Sequence, residues 1–394
     1  MPELPCSAEE RKIAKTYDVA VIGAGVFGAW TAWHFADRGQ SVILLDAYGP
    51  AHSRASSGGE SRIIRMGYGR DEIYTRWSKR SLTQWKELFA ATKQPLFHET
   101  GVLWLAGEEQ HRVLETKATL RRCGIRFEEL DQKDVQKRFP QIYSEDVTMA
   151  MFEPESGVLM ARRAVNAVVE DALRLGAEYK LAQVLTPESG RQLSSLKTSA
   201  GESVSAAKYV FACGPWFGKL FPDELAGRIF PSRQEVFFFG VPAGDVQYAA
   251  PALPTFLFQE DEMYGMPDIE SRGLKIAFDR HGNKVDPDTQ SRIVSESSAT
   301  EMRKYVARRF PGLKDAPIVE SRVCQYENTS SGDFLIDRHP EIRNVWFAGG
   351  GSGHGFKHGP AVGEYVVGHV LDGKPVEPRF QLLAKETVQH RAIY

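Results

Sequence analysis

Val19-Ala-Val-Ile-Gly-Ala-Gly-Val-Phe-Gly28 places Gly23, Gly25 and Gly28 directly behind four apolar residues and directly before a helical pattern, Ala29 to Asp37. This spacing predicts a strand, a tight glycine turn and a helix start. Gly23 permits the sharp turn. Gly25, with Val26 behind it, lets backbone N–H groups approach a pyrophosphate, and Gly28 lets the helix pack on the strand. Free N–H groups and the macrodipole at the helix start favour negative charge there. A second apolar strand, Ser41 to Asp46, ends in an acid about 20 residues on, where a carboxylate accepts from ribose hydroxyls. No Arg or Lys follows Asp46 immediately, which argues against a 2′-phosphate. The expectation is a bound dinucleotide, against the alternative of a plain strand–turn–helix. The motif does not separate FAD from NAD.

The chain has 394 residues, enough for two domains with their own cores. Apolar residues make up 42% and charged residues 25%, as in ordinary soluble globular proteins. A net charge of −2 gives no reason to expect nucleic acid as a partner. No apolar run approaches the ~20 residues of a membrane span, and Met1 to Tyr17 lacks the apolar stretch of a secretory signal. The C-terminal Ala-Ile-Tyr matches no targeting address. Cys6, Cys123, Cys213 and Cys324 are widely spread with no C-x-x-C pair. That argues against a disulfide framework or a metal site, and a reducing cytoplasm is the expected location.

Along the chain, 1–16 reads as a loose arm or short helix. A Ser-, Gly- and Arg-rich loop spans 48–70, a helix 71–91, a strand Gly101 to Ala106 and a helix Glu109 to Cys123. Met149 to Phe152 leads into a turn, Ala161 to Leu175 is helical, and Lys208 to Gly214 is a buried strand ending in glycine. Residues 230–280 change character, with aromatic and β-branched strands at Val236, Thr255 and Leu274 between Pro- and Gly-rich turns. A helix from Glu301 to Phe310, a strand from Val345 to Ala348 and a last helix from about Ala361 to Leu371 follow. The expected fold is α/β: a Rossmann-type dinucleotide-binding domain with an inserted α+β substrate domain on a mixed or antiparallel sheet. Residues 1–95, 150–229 and 320–394 are assigned to the first domain, and 96–149 and 230–319 to the second.

The strand at Val345 runs into Gly349-Gly-Gly-Ser-Gly-His-Gly-Phe-Lys357 and then a helix, a second backbone cradle at a helix N-terminus. A reduced flavin carries negative charge at N1 and C2=O, which such a cradle would stabilise, whereas a nicotinamide has no such need. The alternative is a plain strand–helix turn. Cys324, read by itself, is a buried cysteine acting as a small hydrophobe. Arg62, Arg65, Lys275 and Lys357, read singly, are solvated or paired cations.

The chain resembles the monomeric sarcosine oxidase family of FAD-dependent amine oxidases, which includes N-methyltryptophan and pipecolate oxidases, with fructosyl amino acid oxidases more distant. The resemblance runs from about Tyr17 to Leu371. It rests on the glycine motif, Ser61-Arg-Ile-Ile-Arg65, Glu153-Pro-Glu-Ser-Gly-Val-Leu159, Gly273-Leu-Lys275, Asp286-Pro-Asp288, Val323-Cys-Gln-Tyr326, Ile336-Asp-Arg-His-Pro340 and Ser352-Gly-His-Gly-Phe-Lys357. It implies that the first domain is a glutathione-reductase-like FAD-binding domain, with FAD bonded through its 8α-methyl carbon to Cys324. It assigns the substrate carboxylate to Arg65 and Lys357, a guanidinium fork and an ammonium point charge. Oxygen activation falls to Lys275 with Arg62 nearby, since a fixed positive charge lowers the barrier to forming superoxide. Tyr68, Tyr264 and Tyr326 would line the substrate pocket. Gly23, Gly25, Val26, Gly28, Asp46, Ser53, Ser61, Arg62, Gly214, Trp216, Gly351, Gly353, His354, Gly355, Phe356 and Lys357 would contact the cofactor, His354 as a packing residue and not a base.

Two positions depart from the family pattern. Gly58 stands where many relatives have His. Asp279 stands four residues after Lys275, where sarcosine-type enzymes carry His and fructosyl amino acid oxidases a carboxylate. A carboxylate facing the pocket favours a polyhydroxy or cationic substrate; a solvated Asp paired with Arg280 is the alternative. The activity implied is oxidation of a secondary-amine amino acid (sarcosine-like, N-methyl or cyclic) by hydride transfer to flavin N5, with imine hydrolysis and reduction of O2 to H2O2. The alternatives are a fructosyl amino acid oxidase and a flavin amine dehydrogenase with a non-oxygen acceptor. A non-enzymatic dinucleotide sensor is disfavoured by the cation cluster. The expected partners are a small amine and O2, with no metal, nucleic acid or membrane, and a monomer is the family expectation.

Overall fold

The computed structural model describes residues 15–390 apart from 109 and 281. The arm expected at 1–16 is therefore outside the described residues except for its last two positions. Cys6, the Glu109 helix start and the C-terminal Ala-Ile-Tyr are also outside them.

The strand Thr16–Ile22 is buried on both faces from Val19 onward. It has parallel neighbours on either side, Ser203–Phe211 and Val42–Asp46. A near-continuous apolar run suits a strand covered on both faces. Val345–Gly349 and Glu178–Leu181 extend the parallel array outward. The antiparallel strands Leu335–Arg338 and Leu196–Lys197 complete a seven-stranded sheet. Helix Val26–Asp37 packs on Ala161–Arg174 and on Gly359–Asp372. Trp30 and Trp85, both fully buried, meet edge to face at 5.0 Å in that layer.

The glycine turn is held by close approach. Gly23 has φ +105°, and a Cβ there would stand 2.3 Å from the Ala212 carbonyl oxygen. A Cβ on Gly28 would stand 1.8 Å from the Gly23 carbonyl oxygen. The turn, its helix and the end of Ser203–Phe211 leave no room for side chains at these positions.

The aromatic strands form the expected mixed sheet, eight strands in the order Ile318–Asn328, Phe230–Phe239, Leu274–Phe278, Met263–Met266, Thr255–Phe258, Val102–Ala106, Met149–Glu153 and Glu128–Leu130. Every pairing is antiparallel except Thr255–Phe258 with Val102–Ala106. Ile318–Asn328, which the expected division at 320 cuts, runs whole along Phe230–Phe239, from Phe230 opposite Asn328 to Phe239 opposite Ile318. Met149–Glu153 likewise straddles the division at 150. A three-stranded sheet, Arg62–Ile64, Gly157–Leu159 and Phe97–His98, lies outside both larger sheets.

The expected helix at Glu301 begins earlier, as Glu296–Arg309. Ser295 caps it by accepting from the Ser298 N–H at 3.1 Å. The Ser-rich first turn carries no apolar periodicity, so its helical start is visible only as a cap. Among the described residues no helix is long and apolar enough to cross a membrane, and no group of His, Cys, Asp or Glu could hold a metal.

Candidate active site

At the ends of Thr16–Ile22, Val42–Asp46 and Ser203–Phe211 the turns open a cleft of about 350 Å3. Twelve of the expected site residues line it: Gly23, Gly25, Val26, Asp46, Arg62, Gly214, Trp216, Tyr326, Gly351, Gly353, Gly355 and Phe356. Gly28 serves packing instead.

The Asp46 carboxylate is fixed by three backbone donors, Ala24 N–H at 2.7 Å, Tyr48 N–H at 2.8 Å and Gly49 N–H at 2.9 Å. Helix Val26–Asp37 has no side-chain cap on its N-cap residue, Gly25, and the Val26 N–H donates to Ser57 Oγ at 3.0 Å. Across the cleft, Gly351 to Phe356 presents a second glycine turn, closed by Gly355 N–H to the Gly351 carbonyl at 2.8 Å. The Trp216 indole donates to Asp288 at 2.7 Å, and Lys219 pairs with the same carboxylate.

A second cavity of about 410 Å3 opens beyond Arg62, lined by Ser53, Lys275 and Cys324 among the expected residues. Arg62 lines both cavities. Its guanidinium donates to the carbonyls of Ser61 at 2.9 Å and Ser56 at 2.8 Å, and reaches Cys324 Sγ at 3.5 Å. The Lys275 ammonium donates to the Ser61 carbonyl at 2.7 Å and its hydroxyl at 3.1 Å, which gives Ser61 its place in the site. Burial, then the neighbouring Arg62 charge, pulls the Lys275 pKa well below the usual lysine range. Arg54, Arg162, Arg292 and Arg322 add positive charge to the wall, against Glu60.

The expected carboxylate cations meet around one ring. The Arg65 guanidinium lies 4.6 Å from the Tyr68 ring centre and 4.8 Å from that of Trp104. Lys357 Nζ donates to the Tyr68 hydroxyl at 2.6 Å and to the His354 carbonyl at 2.9 Å. The same hydroxyl bonds His358 Nε2 at 2.8 Å and His354 Nδ1 at 3.2 Å. Burial, then Lys357, holds His358 well below the usual imidazole range, so its ring is neutral.

Tyr326 donates to Asp279 at 3.2 Å, while Arg280 pairs with Glu301. Tyr264 lies in the same group, its hydroxyl pushed up to about 12 by burial.

Three acceptors and a histidine went unread in the sequence. Ser57 holds the first helix. Glu153, 1% exposed, accepts from the N–H groups of Met66 and Gly67, the Trp104 indole and the Ser156 hydroxyl, so it fixes both the chain beyond Arg65 and the ring Arg65 stacks on. Glu327 lines the cleft, and His358 supports Tyr68. Glu153 sits in a motif that carried the resemblance; Glu327 directly follows Tyr326 in another.

These groups fit a dinucleotide carrying a flavin. An anchored carboxylate and two glycine turns line the cleft, and a buried oxygen of Glu327 has no partner among the described residues. The FAD dependent oxidoreductase family model matches residues 18–368. Monomeric sarcosine oxidase of Bacillus sp. (strain B-0618) is 33% identical over 366 residues, covering 91% of this chain and 93% of the relative. N-methyl-L-tryptophan oxidase of Salmonella heidelberg (strain SL476) is 29% identical over 91% of this chain and 96% of its own. The crystal structure of L-proline dehydrogenase from P. horikoshii superposes with a TM-score of 0.82 at 20% identity, over 94% of this chain and 98% of that one, and shows the same fold. The chain therefore belongs to the FAD-dependent oxidoreductases and, among them, to the monomeric sarcosine oxidase family of amine oxidases.

Proposed function

We propose that this enzyme oxidises a secondary-amine amino acid, R–NH–CHR′–COO⁻, to an imine that water hydrolyses, and passes the electrons to O2 to give H2O2. The observation that carries the reading is the convergence of Arg65 and Lys357 on Tyr68, two buried cations on one hydroxyl-bearing ring. A guanidinium fork and an ammonium set against one ring are the donors that a substrate carboxylate takes. Tyr68, fixed by His354 and His358, sets the Lys357 ammonium, and Glu153 sets the Arg65 side. The flavin, when bound, supplies the hydride acceptor and the electrons for oxygen. Cys324 tethers it covalently. Lys275, with Arg62, offers the positive charge that oxygen reduction needs. With the divisions moved off the two strands they cut, 1–95, 154–229 and 329–394 form the cofactor unit and 96–153 with 230–328 the substrate unit of a cytoplasmic monomer.

A second reading, a fructosyl amino acid oxidase, is favoured by the Asp279 carboxylate, which Tyr326 binds beside the cleft. Oxygen uptake with sarcosine, N-methyl amino acids, L-pipecolate, L-proline and fructosyl-glycine separates the two. Turnover of sarcosine or a cyclic amino acid supports the first. Turnover of fructosyl-glycine alone, lost in Asp279→Ala, supports the second. H2O2 formed in step with oxygen uptake is expected under both. Turnover only with an artificial dye would make the enzyme a dehydrogenase.

A further inference from the structure

Three acids line the cleft, and two are satisfied. Asp46 takes three backbone N–H groups, and Asp288 takes Lys219 and the Trp216 indole. Glu327 is different. It is 7% exposed; Oε1 accepts from the Gly351 N–H at 2.9 Å, and Oε2 is shielded from solvent with no hydrogen-bond partner among the described residues. The nearby Cys213 thiol donates to the Ile22 carbonyl at 3.5 Å instead. Burial pushes the Glu327 carboxyl up to about 7. A buried carboxylate oxygen without a donor calls for one.

Its position says which donor. A Cβ on Gly214 would stand 3.2 Å from Glu327 Oε2, and a Cβ on Gly23 would stand 3.4 Å from the Cα of Cys213, next to Gly214. The free oxygen therefore adjoins the turn beside the pyrophosphate seat. Along its own strand Glu327 is three residues past Cys324, the seat of the ring. The portion of FAD that joins pyrophosphate to ring is the ribityl chain, a run of hydroxyls, and a hydroxyl supplies the O–H that a carboxylate lacks.

We propose that Glu327 is a cofactor-binding residue whose Oε2 accepts a hydrogen bond from a ribityl hydroxyl of FAD, holding the polyol between Gly214 and Gly351. The assignment rests on FAD as the cofactor and is independent of which amine is oxidised.

The test uses the full-length protein in a Cys324→Ala background, which keeps flavin binding reversible, with Glu327 intact and with Glu327→Gln. Binding of FAD, and of FAD analogues each lacking one ribityl hydroxyl, is followed by flavin fluorescence. A hydrogen bond to a charged acceptor corresponds to a factor of about 10 to 100 in affinity. With Glu327 intact, one deoxy analogue should bind at least about tenfold more weakly than FAD, and Glu327→Gln should shrink that ratio several-fold. Equal ratios in the two proteins for every analogue would overturn the proposal. If Glu327→Gln does not fold, Glu327→Asp decides: its shorter carboxylate should change the visible circular dichroism of the bound flavin, and an unchanged spectrum counts against the assignment. Neither readout involves an amine, so failure of the substrate reading leaves this test intact.

Discussion

The Arg62 guanidinium stands 3.5 Å from the Cys324 sulfur, at the wall where the dinucleotide cleft and the cation-rich cavity meet. The arginine is anchored by the carbonyls of Ser56 and Ser61, so it fixes the sulfur's surroundings from the first third of the chain. The sulfur lines the cation-rich cavity, next to an arginine that also lines the cleft, and the proposal is that it carries the flavin. Acid-precipitated wild-type protein should keep its yellow colour, and Cys324→Ala should release all its flavin to the supernatant. Free flavin from the wild type would remove the tether from the account.

Lys275 should govern the oxygen step. Stopped-flow mixing of the amine-reduced enzyme with O2 should show Lys275→Met slowed by a factor on the order of 10² to 10³, with amine reduction changed by far less. The pH dependence follows from the depressed lysine pKa. The ammonium is present below that pKa and lost above it, so reoxidation should slow as pH rises well before an ordinary lysine would titrate. The Lys275→Met profile should be flat over the same range.

The Arg65 and Lys357 pair should read the substrate carboxylate. Removing a hydrogen bond to a charged group costs about 1.5–3 kcal/mol. Arg65→Met and Lys357→Met should each raise KM by a factor of about 10 to 100 for the amino acid substrate. The ratio of activities toward that substrate and toward an amine lacking the carboxylate should fall by a similar factor. An unchanged ratio would place the pair outside the substrate site.

Glu327 should leave a mark on the stability of the cofactor-free protein. Its folded pKa of about 7 lies above the ordinary 4.5, so the folded state favours the proton. That contribution is complete below the unfolded pKa and is lost as pH rises through the folded value. The difference amounts to roughly 3 kcal/mol. Urea unfolding at pH 5 and pH 8 should show wild type losing stability relative to Glu327→Gln over this interval, and parallel curves would contradict the assignment.

Much of this arrangement is legible in the residues. The glycine motif, the buried strands around it and the aromatic strands of the second sheet follow apolar patterns that burial enforces locally. The Arg62–Arg65 and Gly351–Lys357 segments are also recognisable, but their meeting is not. Tyr68 and Lys357 are 289 residues apart, and the packing of helix Glu72–Thr92 on the Lys357 turn and the last helix brings them to 2.6 Å. The strand Ile318–Asn328 mixes charged, polar and apolar residues without a regular period and resembles a surface segment until Phe230–Phe239 pairs along it. Glu327 looks like a solvated acid for the same reason, since its burial comes from Gly214 and Gly351 on other segments. Asp279 beside Arg280 suggests a local ion pair, yet Arg280 turns to Glu301 and Asp279 accepts from Tyr326, a partner 47 residues away in sequence.

The central claim is that a secondary-amine amino acid reduces a flavin in this protein and that air reverses it. Anaerobic titration of the purified yellow protein, following the flavin absorption band with each candidate amine, tests it directly. The account predicts that at least one sarcosine-like, N-methyl or cyclic amino acid bleaches the band and that admitting air restores it. A band that dithionite bleaches but none of these amines touches would contradict the account.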